Sequence, residues 1–331
     1  MIDGISVVIP NYNGVGLLSQ TLDATRNALR NTGLPFEIIV SDDHSSDNSV
    51  CWLKANHTDI KILENGENRG FSVTVNKGVT AAQFSKVLLL NSDVKLTPEY
   101  FNHQLKYFDK ADTFGVMGRI VGWDDNIIQD GAKYPAFHGL KIKTSGNYIL
   151  ADEDQMKDGL YTMYLSGANA FIDKNKFHLL GGFNEFFSPF YIEDYELSLR
   201  AWRVGFKCYF EYNSICRHKN SVTIKSKNSK RYISTIYNKN KFILHAIHLE
   251  GIKKLGWFLQ LLPECIIRLL MLRWAYFLSL YLFLRSFGKI NESIRMFNKV
   301  ADSTGCKKSV SEVASIIISS VNPQQKIYWK K

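Results

Sequence analysis

At 331 residues the chain can bury a large core, as one domain of about 220 residues with an appendage more readily than as three small domains. With 22% charged and 45% hydrophobic residues it is not a disordered chain. A net charge of +10 favours anionic partners (nucleotide phosphates, anionic lipid or nucleic acid), although a merely soluble basic surface would give the same total.

The start, Met1-Ile2-Asp3-Gly4, enters a strand pattern at once, without a basic segment and long apolar run, so no signal peptide is expected. Ile5-Ser6-Val7-Val8-Ile9, ended by Pro10, reads as a buried strand. Leu17, Leu18, Leu22, Thr25, Ala28 and Leu29 recur at helical spacing until Gly33 and Pro35. Phe36 to Val40 is a second strand ending at Ser41-Asp42-Asp43, and Asp47 can cap a short helix through Ala55. Ile60 to Leu63, a helix from Val73 to Ala82 and a strand from Lys86 to Leu90 follow. This alternation means βαβ units and a parallel sheet, whose ligands sit outside the carboxyl ends of the strands. Those ends carry Asn11-Tyr12-Asn13, Asp42-Asp43 and Asn91-Ser92-Asp93.

Phe114 to Val121 is a further strand. Residues 122–160, rich in Asp, Gly and Lys, read as a long loop with an edge hairpin, and loops of that length are often functional. Met163 to Ile172 and Lys207 to Tyr212 read as strands around a helix from Ile192 to Val204. Lys219 to Lys241 carries seven basic residues and no acidic one. Leu255 to Leu284 is strongly apolar but broken by Glu264, Arg268 and Arg273, and its longest charge-free piece, Trp274 to Leu284, falls short of the roughly 20 residues a membrane span needs. It reads as helices lying on an anionic membrane interface, or as a helical subdomain or dimer interface. Residues 303–331 read as a loosely ordered tail. Five dispersed cysteines (Cys51, Cys208, Cys216, Cys265, Cys306) with no C-x-x-C suit a reducing compartment, so a cytoplasmic setting is expected.

Seven short motifs stand in order: Ile9-Pro10-Asn11-Tyr12-Asn13; Asp42-Asp43-x-Ser45-x-Asp47; Asn68-Arg69-Gly70-Phe71 with Asn76 and Gly78; Asn91-Ser92-Asp93-Val94; Gly181-Gly182-Phe183-Asn184-Glu185; Glu193-Asp194-Tyr195-Glu196-Leu197 with Arg200 and Gly205; and His218. Together they resemble the family 2 inverting glycosyltransferases, and among them the rhamnosyltransferase-like enzymes of surface polysaccharide assembly. The resemblance covers roughly residues 4–245. It implies a GT-A fold: α/β and Rossmann-like, with a mostly parallel central sheet flanked by helices. The expected organisation is a GT-A domain over 1–245 and a C-terminal helical extension and tail over 246–331, suited to a membrane interface on the inner face of the cell membrane.

The resemblance also implies roles. A sugar passes from a nucleotide-diphosphate donor, dTDP-rhamnose or a UDP-sugar, to a saccharide or lipid-diphosphate-saccharide acceptor. Asp93 and His218 are the expected ligands of Mg²⁺ or Mn²⁺, with hard oxygen atoms of the diphosphate completing the set. Asn91 stands where relatives commonly carry an acidic residue. Asp194 is the expected general base, with Glu193 as its fallback at the same helix start. The donor-binding set is Pro10, Asn11, Tyr12, Asp43, Arg69, Gly70, Asn91, Ser92 and Gly167. In it Tyr12 stacks on base or ribose, Asp43 accepts from the pyrimidine, Arg69 reaches a phosphate and Gly167, Ala168 and Asn169 face the donor sugar. Glu196 and Arg200 are expected only to pair, one helical turn apart.

Other classes fit less well. A nucleotidyltransferase would carry a Gly-rich, basic phosphate loop where this chain has Pro10-Asn11-Tyr12-Asn13-Gly14, and a dehydrogenase would carry G-x-G-x-x-G there. A catalytically silent sugar-nucleotide-binding subunit remains open. No recognition motif accompanies the basic stretch, so nucleic acid is not an expected partner. A processive membrane synthase would carry Gln-x-x-Arg-Trp, and here Leu270 precedes Arg273-Trp274 in place of Gln.

Overall fold

A computed structural model describes residues 4–150, 156–219, 229–321 and the backbone of 327–330. The first three residues, the middle of the basic stretch (220–228) and most of the chain end lie outside the described residues.

β1 (Ile5–Asn11) is a β-branched run buried on both faces, as a central parallel strand must be. α1 (Val15–Arg30) turns Leu18, Thr21, Leu22, Thr25, Ala28 and Leu29 onto the sheet. β2 (Phe36–Asp42), α2 (Ser49–Asn56), β3 (Lys61–Glu64), α3 (Phe71–Ala81) and β4 (Lys86–Leu90) complete the first half. Asp47 does more than begin α2, where Asn48 holds the cap position. One of its oxygens accepts from Ser49 N at 3.0 Å and the other from Val15 N at 3.1 Å, so it ties the starts of α1 and α2 together.

β5 (Val94–Leu96), β6 (Thr113–Gly122) and β7 (Ile128–Asp130) follow. β8 (Ala132–His138) and β9 (Lys141–Leu150) form an antiparallel hairpin within the span expected to be a long loop with an edge hairpin. Next come β10 (Leu160–Tyr161), β11 (Asn169–Asp173), α4 (Lys174–Leu179), α5 (Glu193–Arg203) and β12 (Lys207–His218). The strand expected from Met163 is reduced to β11, because the preceding backbone bonds elsewhere: Leu165 N donates to Ser198 Oγ at 3.0 Å and Thr162 O accepts from Trp202 Nε1 at 3.0 Å.

The main sheet runs β10-β12-β6-β11-β4-β1-β2-β3. Strands β3, β2, β1 and β4 are mutually parallel; β11 lies antiparallel between β4 and β6, and β6 and β12 are parallel again. β8 and β9, with β13 (Ile327–Lys330), make a separate small sheet. This is the GT-A architecture. Strand order reverses between β1 and β4, and a crevice at that point is where an open α/β sheet binds ligands.

The chain continues through α6 (Lys230–His248), α7 (Gly251–Leu270), α8 (Trp274–Leu284), α9 (Phe287–Thr304) and α10 (Val310–Ser319). The boundary expected at residue 245 falls inside α6, and one hydrophobic core holds both Val8 of the sheet and Val321 beyond α10. The apolar stretch is two helices separated at Met271-Leu272-Arg273, where Leu272 has φ 51°. The expected loose tail contains α10, begun by a reciprocal cap between Ser309 and Glu312, with Val313 and Ile317 buried. Among the described residues no helix is long and apolar enough to cross a membrane.

Candidate active site

The ends of β1 and β4 meet at the reversal point. Asn11 is buried and donates through Nδ2 to Asp42 Oδ1 at 2.8 Å. A Cβ on Gly14 would stand 2.4 Å from Asn11 Oδ1 and 3.0 Å from Ser92 Oγ, so only glycine lets these two turns close on each other. Pro10 is paired with Ser41 within the sheet, and Tyr12 is exposed just past the strand end.

Asp43 is buried, and its carboxylate organises the turn into α3. Oδ1 accepts from Arg69 N and Asn65 Nδ2, both at 2.9 Å, and Oδ2 accepts from Gly70 N at 2.9 Å. Three of about four lone-pair positions are thereby used, leaving one on Oδ2. Asp42 likewise accepts three bonds, from Asn11 Nδ2 and Ser45 Oγ on Oδ1 and from Ser45 N on Oδ2. Gly70 has φ 86°, and a Cβ there would press on the Pro189 backbone at 3.0 Å. The Arg69 side chain is exposed and lines a separate cavity with Asn76, Lys77 and Glu185, beside α3.

Asp93 and His218 are brought together by strand pairing. β5 runs antiparallel to the end of β12 with Val94 opposite His218, which sets His218 Nε2 3.5 Å from Asp93 Oδ2. Gln129 completes the arrangement. Its Nε2 donates to the His218 carbonyl at 3.3 Å, which turns Oε1 toward His218 Nδ1 at 3.0 Å. Nδ1 therefore carries the proton, and in a neutral ring the Nε2 lone pair faces the carboxylate. Two electron-rich atoms aimed at one point suit a cation. Among the described residues no group of three or more His, Cys, Asp or Glu could hold a metal ion. The pair supplies two protein ligands, which fits a hard cation that takes its other ligands from substrate phosphates and water.

Asp194 and Glu193 begin α5. They follow Tyr191 and Ile192, whose φ values of 73° and 77° are strained for non-glycine residues, the more so for the β-branched Ile192. The buried Asn240 of α6 supports that segment, its Nδ2 donating to the carbonyls of Phe187 (2.7 Å), Tyr191 (2.9 Å) and Phe190 (3.1 Å). Asp194 accepts from Tyr195 N at 2.7 Å and Gly167 N at 3.3 Å, and lines a cavity with Tyr164, Tyr191, Tyr237 and Lys241. Burial pushes its carboxyl above the usual range, while the two backbone donors and the nearby Lys133 pull it partly back. Glu193 is buried, with Oε2 lacking a partner; burial and then the Asp194 charge raise it as well. The two titrate as a pair.

A short segment joins the two acidic centres. Gly167 N bonds to Asp194, and Ala168 O, one residue on, accepts from Asn91 N at 3.1 Å. A Cβ on Gly167 would approach Phe71 Cζ at 3.0 Å and Asp194 Cβ at 3.9 Å, so the missing side chain lets the Phe71 ring and the start of α5 pack against this segment. Asn169 does not face this space: its Nδ2 donates to Gly118 O at 2.9 Å and lies against Cys216. The side chain belongs to the core because β11 begins at that residue.

Several motif residues serve the scaffold. Arg200 pairs with Glu196 at 2.7 Å and donates to Gly182 O at 2.8 Å, while His248 reaches the other Glu196 oxygen at 3.3 Å. Burial opposes the Glu196 charge, but Arg200 and His248 outweigh it and hold the carboxyl below its ordinary range. Asn184 starts a short 3₁₀ turn and donates to Ser293 of α9 at 2.9 Å. Gln129, Lys133 and Asn240 were not anticipated. The first two lie in the 122–160 span, which attracted notice only by its length, and Asn240 carries no signal in the sequence.

Comparison with known proteins agrees with the fold. The family described as glycosyl transferase family 2 matches residues 6–180, more than half of the chain. The chain belongs to this family. It is 26% identical over 257 residues to a hyaluronan synthase of Pasteurella multocida, covering 75% of this chain and 23% of that protein. It is 33% identical over 124 residues to an undecaprenyl-phosphate 4-deoxy-4-formamido-L-arabinose transferase of Pectobacterium carotovorum, covering 36% of this chain and 37% of that one. The chain thus spans well under two thirds of these relatives. Among solved structures, GalNAc-T7 with UDP, GalNAc and Mn²⁺ superposes with TM-score 0.66 at 16% identity, over 97% of this chain and 58% of that one. Staphylococcus aureus TarS 1-349 with UDP-GlcNAc gives 0.55 at 14% identity, over 99% and 97%.

Proposed function

We propose that the chain is an inverting, divalent-cation-dependent glycosyltransferase. It moves a sugar from dTDP-rhamnose or a UDP-sugar to a saccharide or lipid-linked saccharide in surface polysaccharide assembly. The observation that carries this reading is the link from Asp93 facing His218, through Asn91 and Ala168-Gly167, to Asp194. A cation site and a base joined by so short a segment can act on one donor–acceptor pair.

The sugar nucleotide lies across the reversal point between β1 and β4. Tyr12 stacks on base or ribose, the remaining Asp43 lone pair accepts from the pyrimidine, and Pro10 and Asn11 shape the floor. Arg69, which lines the cavity beside α3, turns from there to reach a phosphate, while Gly70, Asn91, Ser92 and Gly167 offer backbone. Mg²⁺ or Mn²⁺, held by Asp93, His218 and the diphosphate, would offset charge on the leaving group, which can contribute several kcal/mol. Bound Mn²⁺ in the GalNAc-T7 structure supports that cofactor class.

Asp194 takes the proton of the acceptor hydroxyl as its oxygen attacks the anomeric carbon opposite the departing diphosphate. Its raised carboxyl is a better base near neutrality than an ordinary aspartate. It is preferred to Glu193 because Asp194 lines a cavity while Glu193 is closed in. Residues 1–245 carry the chemistry, and 246–331 brace α5 and present an apolar face to an anionic membrane on the cytoplasmic side. Support for the membrane comes from exposed Ile252, Leu270, Leu272 and Trp274 beside Lys253, Lys254, Arg268 and Arg273.

A panel of nucleotide sugars, each scanned for a shift in Tm with Mn²⁺ and with chelator, tests the reading. The expected result is cation-dependent stabilisation by one pyrimidine sugar nucleotide, with slow release of free sugar. Stabilisation without any turnover toward any acceptor would instead mark a silent binding subunit.

A further inference from the structure

Three cavities lead away from Asp194 and share their walls. The first, about 310 Å³, joins Asp194 and Tyr164 to Lys143, Tyr237 and Lys241. The second, about 300 Å³, shares Lys143 and Lys241 and adds Lys141, His245 and Arg268. The third, about 690 Å³, shares Arg268 and opens at Arg231, Arg273, Leu272 and Trp274.

The middle cavity has an excess of positive charge. Lys141, Lys143, Lys241 and Arg268 line it against the single carboxylate of Glu264, and Glu264 is ion-paired with Lys141. Among the described residues no carboxylate forms an ion pair with Lys143, Lys241 or Arg268. Burial holds the Lys241 ammonium below its ordinary pKa, and the charges of Lys143 and Lys141 add to this. His245 is buried in the same wall, its Nδ1 bonded to Lys241 O at 2.6 Å and its Nε2 without a partner. Crowded cations of this kind are costly unless something anionic occupies the space. At the outer end Leu270 and Leu272 are 80% and 70% exposed, so an apolar surface starts where the cationic track stops.

We propose that the middle cavity binds the phosphate of a phosphorylated, lipid-linked acceptor, whose sugar hydroxyl enters the Asp194 cavity and whose hydrocarbon lies against Leu272 and Trp274. The inference deepens the acceptor half of the glycosyltransferase reading and rests on it. The two cavities share Lys143 and Lys241, so a saccharide attached to the phosphate can extend directly toward Asp194.

The test is calorimetric titration of the full chain with geranyl diphosphate and with inorganic pyrophosphate, in chelator so that the Asp93 site contributes nothing. The Lys143→Gln/Arg268→Gln double variant should bind geranyl diphosphate about tenfold more weakly or worse, as loss of charge-assisted bonds predicts. Asp93→Asn should bind it like the wild type. Equal binding by wild type and double variant overturns the proposal, as does a loss confined to Asp93→Asn. Pyrophosphate binding as tightly as geranyl diphosphate overturns the lipid assignment. Should the double variant fail to fold, the single change at the exposed Arg268 carries the same comparison. Mn²⁺-dependent UDP binding by the wild type is measured in parallel. Its absence would count against the glycosyltransferase reading itself, independently of the phosphate cavity.

Discussion

His218 Nε2 stands 3.5 Å from Asp93 Oδ2, and Gln129, bonded to both the ring and the carbonyl of His218, dictates which ring nitrogen faces that carboxylate. The arrangement makes Gln129 a positioning residue for whatever cation the pair holds. Gln129→Leu should weaken Mn²⁺ binding in the presence of UDP by about 10- to 100-fold, the usual cost of losing a partner that orients a ligand. Paramagnetic resonance of free Mn²⁺ reads this without turnover. Unchanged affinity would remove Gln129 from the role.

Asp194→Asn should lower kcat by roughly 10² to 10⁴ while leaving donor affinity nearly intact, because an amide keeps the backbone bonds but cannot accept the proton. The same residue should appear in the pH profile. Burial raises its folded carboxyl pKa, so Asp194 becomes protonated and inactive at a pH above the ordinary carboxylate value of about 4. The acid limb of kcat/KM should therefore lie above that value. Wild-type turnover by Asp194→Asn would sink the assignment.

At the neighbouring carboxyl, stability runs against pH in the direction opposite to activity. Glu193 binds its proton more tightly folded than unfolded, because burial and then Asp194 raise it. Between the unfolded and the folded pKa the native state holds more protons, so stability falls as pH rises through that window and stays lower above it. Glu193→Gln removes this penalty. It should raise Tm at pH 8 and have little effect at pH 4; a lower Tm at pH 8 would show that the Glu193 charge stabilises the fold.

Much of this arrangement was legible because it depends on strand ends. A wholly apolar run such as Val87 to Leu90 can only be a buried strand, and the polar triplet after it must then stand at the sheet's carboxyl edge. His218 was legible as a motif residue, but its place in the fold was not. Tyr212-Asn213-Ser214 looks like the end of a strand, whereas β12 passes through an irregularity between Glu211 and Ile215 and continues to His218. The Ser309–Glu312 cap was written in the chain as S-x-x-E, yet its polar surroundings read as a tail. Asn240 was not legible at all, since its role depends on three carbonyls about fifty residues away that only the tertiary fold brings to it.

That dependence gives a prediction for Asn240→Ala. The change leaves three carbonyls, one buried and two partly buried, short of a donor and frees a segment whose Tyr191 and Ile192 are held at positive φ. A loss of about 1–3 kcal/mol in stability is expected for such an unsatisfied site. A purely structural role would end there. Because the segment leads directly into Glu193-Asp194, kcat should also fall at temperatures well below the new Tm, while UDP affinity, read by titration, stays close to wild type. A lower Tm with unchanged kcat would confine Asn240 to the scaffold.

The C-terminal helices pose a sharper question, because deleting them cannot isolate membrane binding. Arg203 of α5 is fully buried, donates to Lys308 O at 2.8 Å and pairs with Glu250, so removing residues 250–331 strands a charge in the core. Glu250 is half exposed, but Arg203 is not, and with its partner and the apolar core of 250–331 both removed the truncated chain should aggregate rather than become a freely soluble enzyme. Surface substitutions separate the two roles. Leu270→Glu/Leu272→Glu changes two side chains that are 80% and 70% exposed and should leave Tm nearly unchanged. It should reduce co-sedimentation with phosphatidylglycerol vesicles about tenfold or more, since apolar contact and attraction to the anionic surface are both lost. Equal sedimentation of variant and wild type would show that this face does not meet lipid.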